Sequence, residues 1–222
     1  MEEPMALPGL ARLLEVCQRL NLGLRTSPPA REPSRVGISW EDVPFDPVLA
    51  SVYARLGHAA VATKVMGWVL SQSNDEEHAL EATNKRWREK WWKALGQPVI
   101  VFGGDMGMAY TYATVPGLAD GGGRQPVVRV DTYEFDPYVM PVASNVDRFF
   151  DSYSRYLEAL VADPRYQESG KTDLLFPWHA TDILARDERL VELMRAGRFD
   201  SLMKNVDGET RAWAAKVMGT QG

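Results

Sequence analysis

Cysteine is nearly absent from this chain: Cys17 is the only one in 222 residues, so no internal disulfide can form. Cys17 falls in helical phase with Leu7, Leu10, Leu13, Leu14 and Leu20, which predicts a buried, inert thiol rather than a nucleophile. Histidine is also scarce. His58, His78 and His179 lie far apart, and only His78 and Glu81 share a helical spacing. One imidazole and one carboxylate are too few for a specific metal site. Basic charge is not in excess: 25 Lys and Arg against 30 Asp and Glu leave a net charge of −5. That argues against sequence-independent binding of nucleic acid, which needs a basic surface. No apolar run approaches the ~20 residues that span a bilayer. The opening Met-Glu-Glu-Pro lacks the basic-then-apolar order of a secretory signal. The expectation is a cytoplasmic protein with no membrane segment, metal or cofactor. Neither G-x-S-x-G nor a phosphate-loop GK[ST] occurs, and nothing in the spacing suggests a catalytic residue.

What the chain does have is 45% hydrophobic residues, enough for a proper core. The Leu7–Leu20 stripe predicts a first helix. Residues 25–37, with Pro28, Pro29 and Pro33, read as an irregular linker. "FDPVLASVYARLG" predicts a helix capped by Asp46, opened by Pro47 and stopped at Gly57. Residues 59–70 read as one or two short strands. "SNDEEHALEATNKRWREKWWKALG" reads as a helix with a buried tryptophan face and a solvated basic face. Then come the strands "PVIVFGG", "MAYTYATV" and "QPVVRVDTYEF", with a turn at "GLADGGGR". "SNVDRFFDSYSRYLEALV" is the clearest helix, with Ser144 and Asp147 as its expected capping box. Its stripe of Phe149, Phe150, Tyr153, Leu157 and Val161 is expected to pack on Val99, Val101, Val128 and Val130. After Asp163, "TDILARDERLVELMRAG", "FDSLMKN" and "ETRAWAAKVMG" read as short helices. The fold class is α+β, a twisted and mainly antiparallel sheet with helices packed on it and a helical C-terminal extension.

The glycine-rich "FGGDMG" follows a strand as a phosphate loop would, but an alternating aromatic strand follows it instead of a helix. It reads as a hairpin turn displaying Asp105 at the bend. Residues 101–160 hold eight acidic and four basic residues, a net of −4. Most of the chain's negative charge therefore belongs to the strand-rich middle, as a surface that steers a basic partner would require.

These middle residues resemble the SUKH superfamily. Pro44, Leu49, Tyr53, Leu56 and Gly57 hold its opening helix pattern. Phe102, Gly103, Asp105, Gly107, Tyr110 and Tyr112 match its Phe-Gly-x-Asp-x-Gly strand end and aromatic strand. "PVVRVD" and "VASNVDRFFDSYSRYLEAL" are similar to its last strand and amphipathic helix. The resemblance divides the chain into a helix and linker (1–37), an α+β core (38–161) with a Trp-rich helical insertion (76–95), and a helical extension (162–222). It implies an immunity protein, not an enzyme, that binds a cognate protein toxin of nuclease or deaminase type and occludes its site. The expected contacts are Asp105, Tyr110, Asp131, Glu134, Asp136 and Tyr138. Two alternatives stand beside it: a small hydrolase or nucleotide-binding enzyme using the Gly103–Gly107 loop and Asp105, and a regulatory or scaffold module.

Overall fold

A computed structural model describes residues 5–29, 43–61, 67–69, 79–105, 110–133, 136–170 and 173–220. The predicted α+β class is what it shows. Seven strands form one antiparallel meander, each pairing with the next in sequence: β1 (Leu24–Ser27), β2 (His58–Val61), β3 (Gly67–Val69), β4 (Ile100–Asp105), β5 (Tyr110–Thr114), β6 (Val127–Asp131) and β7 (Tyr138–Ala143). β1 lies where the first residues of a linker were expected. Its four residues have no apolar alternation, and pairing with β2 rather than side-chain pattern makes them a strand. Gly103 and Gly104 are not bend residues either. They sit inside β4 between β3 and β5, beside a bulge that sets Phe102 and Gly103 against Tyr112. Glycine in a strand commonly marks such a bulge. β4 and β5 are antiparallel neighbours, as the hairpin reading requires, but the bend itself lies outside the described residues.

The principal helix is α5 (Val146–Ala162). Its cap is Asn145, whose side chain accepts from the Arg148 N–H at 3.0 Å, one residue beyond the Ser144 expected. Asp147 is not half of a capping box. Its two carboxylate oxygens accept from the N–H groups of Gly9 and Leu10, at 3.1 and 3.0 Å, in the first turn of α1 (Pro8–Arg19). The two helices are pressed together at that point, since a Cβ on Gly9 would lie 1.9 Å from the Asp147 carbonyl oxygen. Further along, Arg12 and Arg19 both pair with Glu158.

The other flank of α5 is aromatic. Phe149 touches Phe102, Tyr112, Phe150, Tyr153 and Phe176, with ring centroids 4.6–6.1 Å apart. This fixes the face on which α5 lies. Side chains alternate along a strand, so Tyr112 shares its face with its cross-strand partner Arg129, and Val101, Val128 and Val130 point the other way. The predicted packing of α5 on those valines is therefore wrong. The pattern of buried valines was correct, but the bulge at Phe102 and the aromatic Tyr112 select the opposite face.

α2 (Pro47–Tyr53) is capped by Asp46 as predicted, though it ends before Gly57. α3 (Leu80–Lys90) follows an extended Ala79, and the acidic residues expected at its start lie outside the described residues. α4 (Trp92–Leu95) follows directly. Asn84 of α3 donates to the Val101 carbonyl and accepts from its N–H, both at 2.7 Å. Its amide thus pairs with the β4 backbone at Val101, ahead of the Gly103–Asp105 stretch that pairs with β3. The C-terminal region contains α6 (Pro164–Ser169), α7 (Thr181–Leu184), α8 (Glu188–Arg195) and α9 (Gly208–Val217). "FDSLMKN" forms turns there rather than the expected helix. No helix among the described residues is long and apolar enough to cross a membrane.

Asp46 gives the fold a pH dependence. It is fully buried, and its carboxylate accepts from Leu49 N at 2.7 Å and Gln125 N at 2.6 Å, joining α2 to the connection that leads into β6. Burial pushes its pKa up to about 6, although the N–H groups of Leu49, Gln125 and Val48 pull it down. The unfolded chain loses this proton near the ordinary value of ~3.9. Between these values the folded state alone holds the proton, so the stability this group contributes falls as pH rises from ~4 to ~6 and is level above that. The size of the fall is about 3 kcal/mol for a two-unit shift. Urea unfolding of the wild type and Asp46→Asn across that window should show their stability difference declining by this amount; a constant difference contradicts the assignment.

Candidate functional site

One end of the sheet gathers most of the predicted contact residues. Tyr110, Asp131 and Tyr138 are direct cross-strand partners on β5, β6 and β7, so their side chains share one face in one row. Asp105 ends β4 near the same level, opposite Gly67 of β3. Asp136 is exposed in the β6–β7 connection. Glu134 lies outside the described residues, as does the side-chain position of Asp105. The row thus joins residues that are up to 28 positions apart in sequence.

Several members also hold the structure. Asp131 Oδ1 accepts from Tyr133 N at 2.9 Å, which shapes the turn after β6 and leaves the Tyr133 side chain 85% exposed. Tyr138 donates its hydroxyl to Asp207 Oδ1 at 3.2 Å. Asp207 caps α9 through Thr210 N at 2.8 Å and the Thr210 hydroxyl at 2.9 Å. Those Thr210 bonds hold the exposed Asp207 carboxyl below its ordinary pKa. Partial burial, then the charge of Asp207, raises the pKa of Tyr138, so its phenol stays protonated. The Tyr138 ring lies 6.4 Å from Trp178, which lies 6.4 Å from Trp213. The helical tail is therefore part of this surface, adding Trp178, Asp207 and the exposed Glu209.

Arg129 sits beneath the row. It is only 2% exposed, its guanidinium carbon lies 3.5 Å from the centre of the Tyr110 ring, and Nη1 donates to the Met140 sulfur at 3.5 Å. Its Nε has no hydrogen-bond partner among the described residues. The buried cation supports Tyr110 by a cation–π contact.

No family model matches the chain, and no curated protein or solved structure matches it.

Tyr133, Arg129, Trp178 and Asp207 were absent from the expected contacts. An arginine in the alternating "VVRVD" was a local signal for a special position. Nothing local tied Asp207 or Trp178 to a strand so distant in sequence. The other candidate chemistries are occupied by packing. Cys17 is buried, which pushes its thiol up to about 11. His179 Nδ1 accepts from Leu175 N at 3.0 Å within its own turn. Trp87 is buried against Trp91 at 6.1 Å, and Trp92 Nε1 donates to the Val99 carbonyl at 2.9 Å. His78 lies outside the described residues, and no group of three metal-ligating side chains occurs among those described.

The state of Arg129 can be tested by replacement. Exchanging a poorly satisfied buried charge for an apolar chain of similar volume is commonly neutral or stabilising. Arg129→Met should keep or raise the melting temperature, read by circular dichroism. A marked fall would mean that the guanidinium has a structural partner not accounted for.

Proposed function

We propose that this chain is a non-enzymatic immunity protein of the SUKH kind, which binds a cognate protein toxin and covers the toxin's substrate cleft. The observation that carries the reading is the Tyr110–Asp131–Tyr138 row, extended by Tyr133, Asp136, Trp178, Asp207 and Glu209. This combination has a physical use. Exposed and half-buried aromatics supply anchor area at an interface, while carboxylates around them speed encounter and select the partner's charge. A nuclease or nucleic-acid deaminase must present a basic cleft to phosphates. An acidic, aromatic surface is complementary to such a cleft and can occupy it in place of the substrate. The partner is thus a basic protein domain rather than nucleic acid itself, and the cytoplasm of the producing cell is the compartment this role requires. The enzyme alternative needed a glycine loop at Gly103–Gly107. Gly103 and Gly104 lie within paired β4, which does not favour it.

The test should spare carboxylates that the fold uses. Asp131 shapes a turn and Asp207 caps α9, whereas Asp136 and Glu209 are exposed and serve neither task. Asp136→Lys/Glu209→Lys should slow association with the cognate toxin domain by roughly tenfold at low salt and flatten the dependence of the rate on salt. Protection of toxin-expressing cells should weaken in parallel. An unchanged rate and salt dependence would refute this surface as the site.

A further inference from the structure

At the opposite end of β7 from Tyr138, roughly 17 Å along the strand, lies a polar cleft of about 520 Å³. The connection before β6, the start of α5 and the start of α8 form its walls. Arg124, Arg148, Arg186 and Arg189 all line it. Arg124 pairs with Asp120 and Arg189 with Glu192, in solvent-exposed pairs of the weak kind. Arg148 and Arg186 have no carboxylate partner among the described residues. Two of the acids in the cleft are already committed. Asp120 holds Arg124, and the oxygens of Asp187 accept from Ser144 N at 2.7 Å and Leu190 N at 3.1 Å. Glu188, exposed in the first turn of α8, is the acid that opposes an anion here.

Ser144 adds an independent sign. The residue is only 9% exposed and lines the cleft, and its hydroxyl has no hydrogen-bond partner among the described residues. Its backbone N–H is held by Asp187, which anchors the residue at the cleft wall with its hydroxyl available to a ligand. Asn145 and Asp187, the caps of α5 and α8, also line the cleft, so two helix N-termini with their favourable dipole ends open on it.

We propose that this cleft binds a small phosphate-bearing anion. Guanidinium forks match phosphate oxygens in paired hydrogen bonds, and the volume falls within the range of small-molecule sites. Among the described residues no aromatic side chain lines the cleft for base stacking, so the recognised chemistry is the phosphate group rather than a nucleobase. The site is separate from the acidic surface and does not depend on the toxin-binding reading.

The experiment is calorimetry on the full chain at fixed ionic strength, with inorganic pyrophosphate in one arm and ribose 5-phosphate in the other. Saturable binding is expected in at least one arm; the tighter arm distinguishes a free polyanion from a sugar ester. Arg148→Glu/Arg186→Glu should weaken it by about tenfold or more. Neither side chain makes an ion pair among the described residues. Arg25→Glu, an exposed change on β1, should leave binding as it was, and the arginine variants should bind toxin as the wild type does. Absence of saturable binding in both arms, or equal binding by Arg148→Glu/Arg186→Glu, overturns the proposal.

Discussion

The aromatic ridge of α5 is the contact on which the other parts of this structure rest. Phe149 meets Phe102 of β4, Tyr112 of β5 and Phe176 from the tail at once. A buried phenylalanine of this kind is typically worth ~3–5 kcal/mol against alanine, a large share of a domain's net stability. The same helix reaches the N-terminal region through Asp147, whose carboxylate closes the first turn of α1. Tyr156 and Phe176 add another tie, since Tyr156 donates to the Leu174 carbonyl at 2.9 Å while its ring lies 5.4 Å from Phe176. One helix therefore holds the sheet, α1 and the tail in a single arrangement.

That arrangement gives the sheet two chemically different ends. At one, Tyr110, Asp131 and Tyr138 stand in register, and the tail brings Trp178 and Asp207 beside them. At the other, the starts of α5 and α8 converge among arginines. Arg129 belongs to the first end but is buried under Tyr110, so its charge supports a ring instead of facing solvent. The net charge of −5 hides this separation, because the fold sets the tail's Asp207 beside the acids of the strand-rich middle and gathers the arginines at the other end.

Much of this was legible wherever a pattern was local. The spacing of Phe149, Phe150, Tyr153 and Leu157 announced α5, and Asp46 followed by Pro47 announced the start of α2. Tyr110, Asp131 and Tyr138 stand out in the sequence as aromatics and carboxylates of the acidic strand-rich middle, and the antiparallel register of β5, β6 and β7 sets them side by side. What failed was non-local. Ser144 followed by Asp147 has the form of a capping box, yet Asp147 serves Gly9, 138 residues away. The face chosen by α5 turned on a single bulge at Phe102. β1 carries no strand pattern because pairing with β2 makes it a strand. Trp178 and Asp207 entered the site through a helical tail whose docking no local spacing announces.

The central claim is that the acidic, aromatic end of the sheet and the adjoining tail receive a basic protein partner. Hydrogen–deuterium exchange of the chain, alone and with the basic toxin domain proposed as its partner, tests it most directly. The account predicts added protection confined to residues 110–112, 129–140, 177–179 and 207–211, with β1, β2 and α3 unchanged. Protection centred on β1, β2 or α3, with none at Tyr110, Tyr133 or Tyr138, would contradict it.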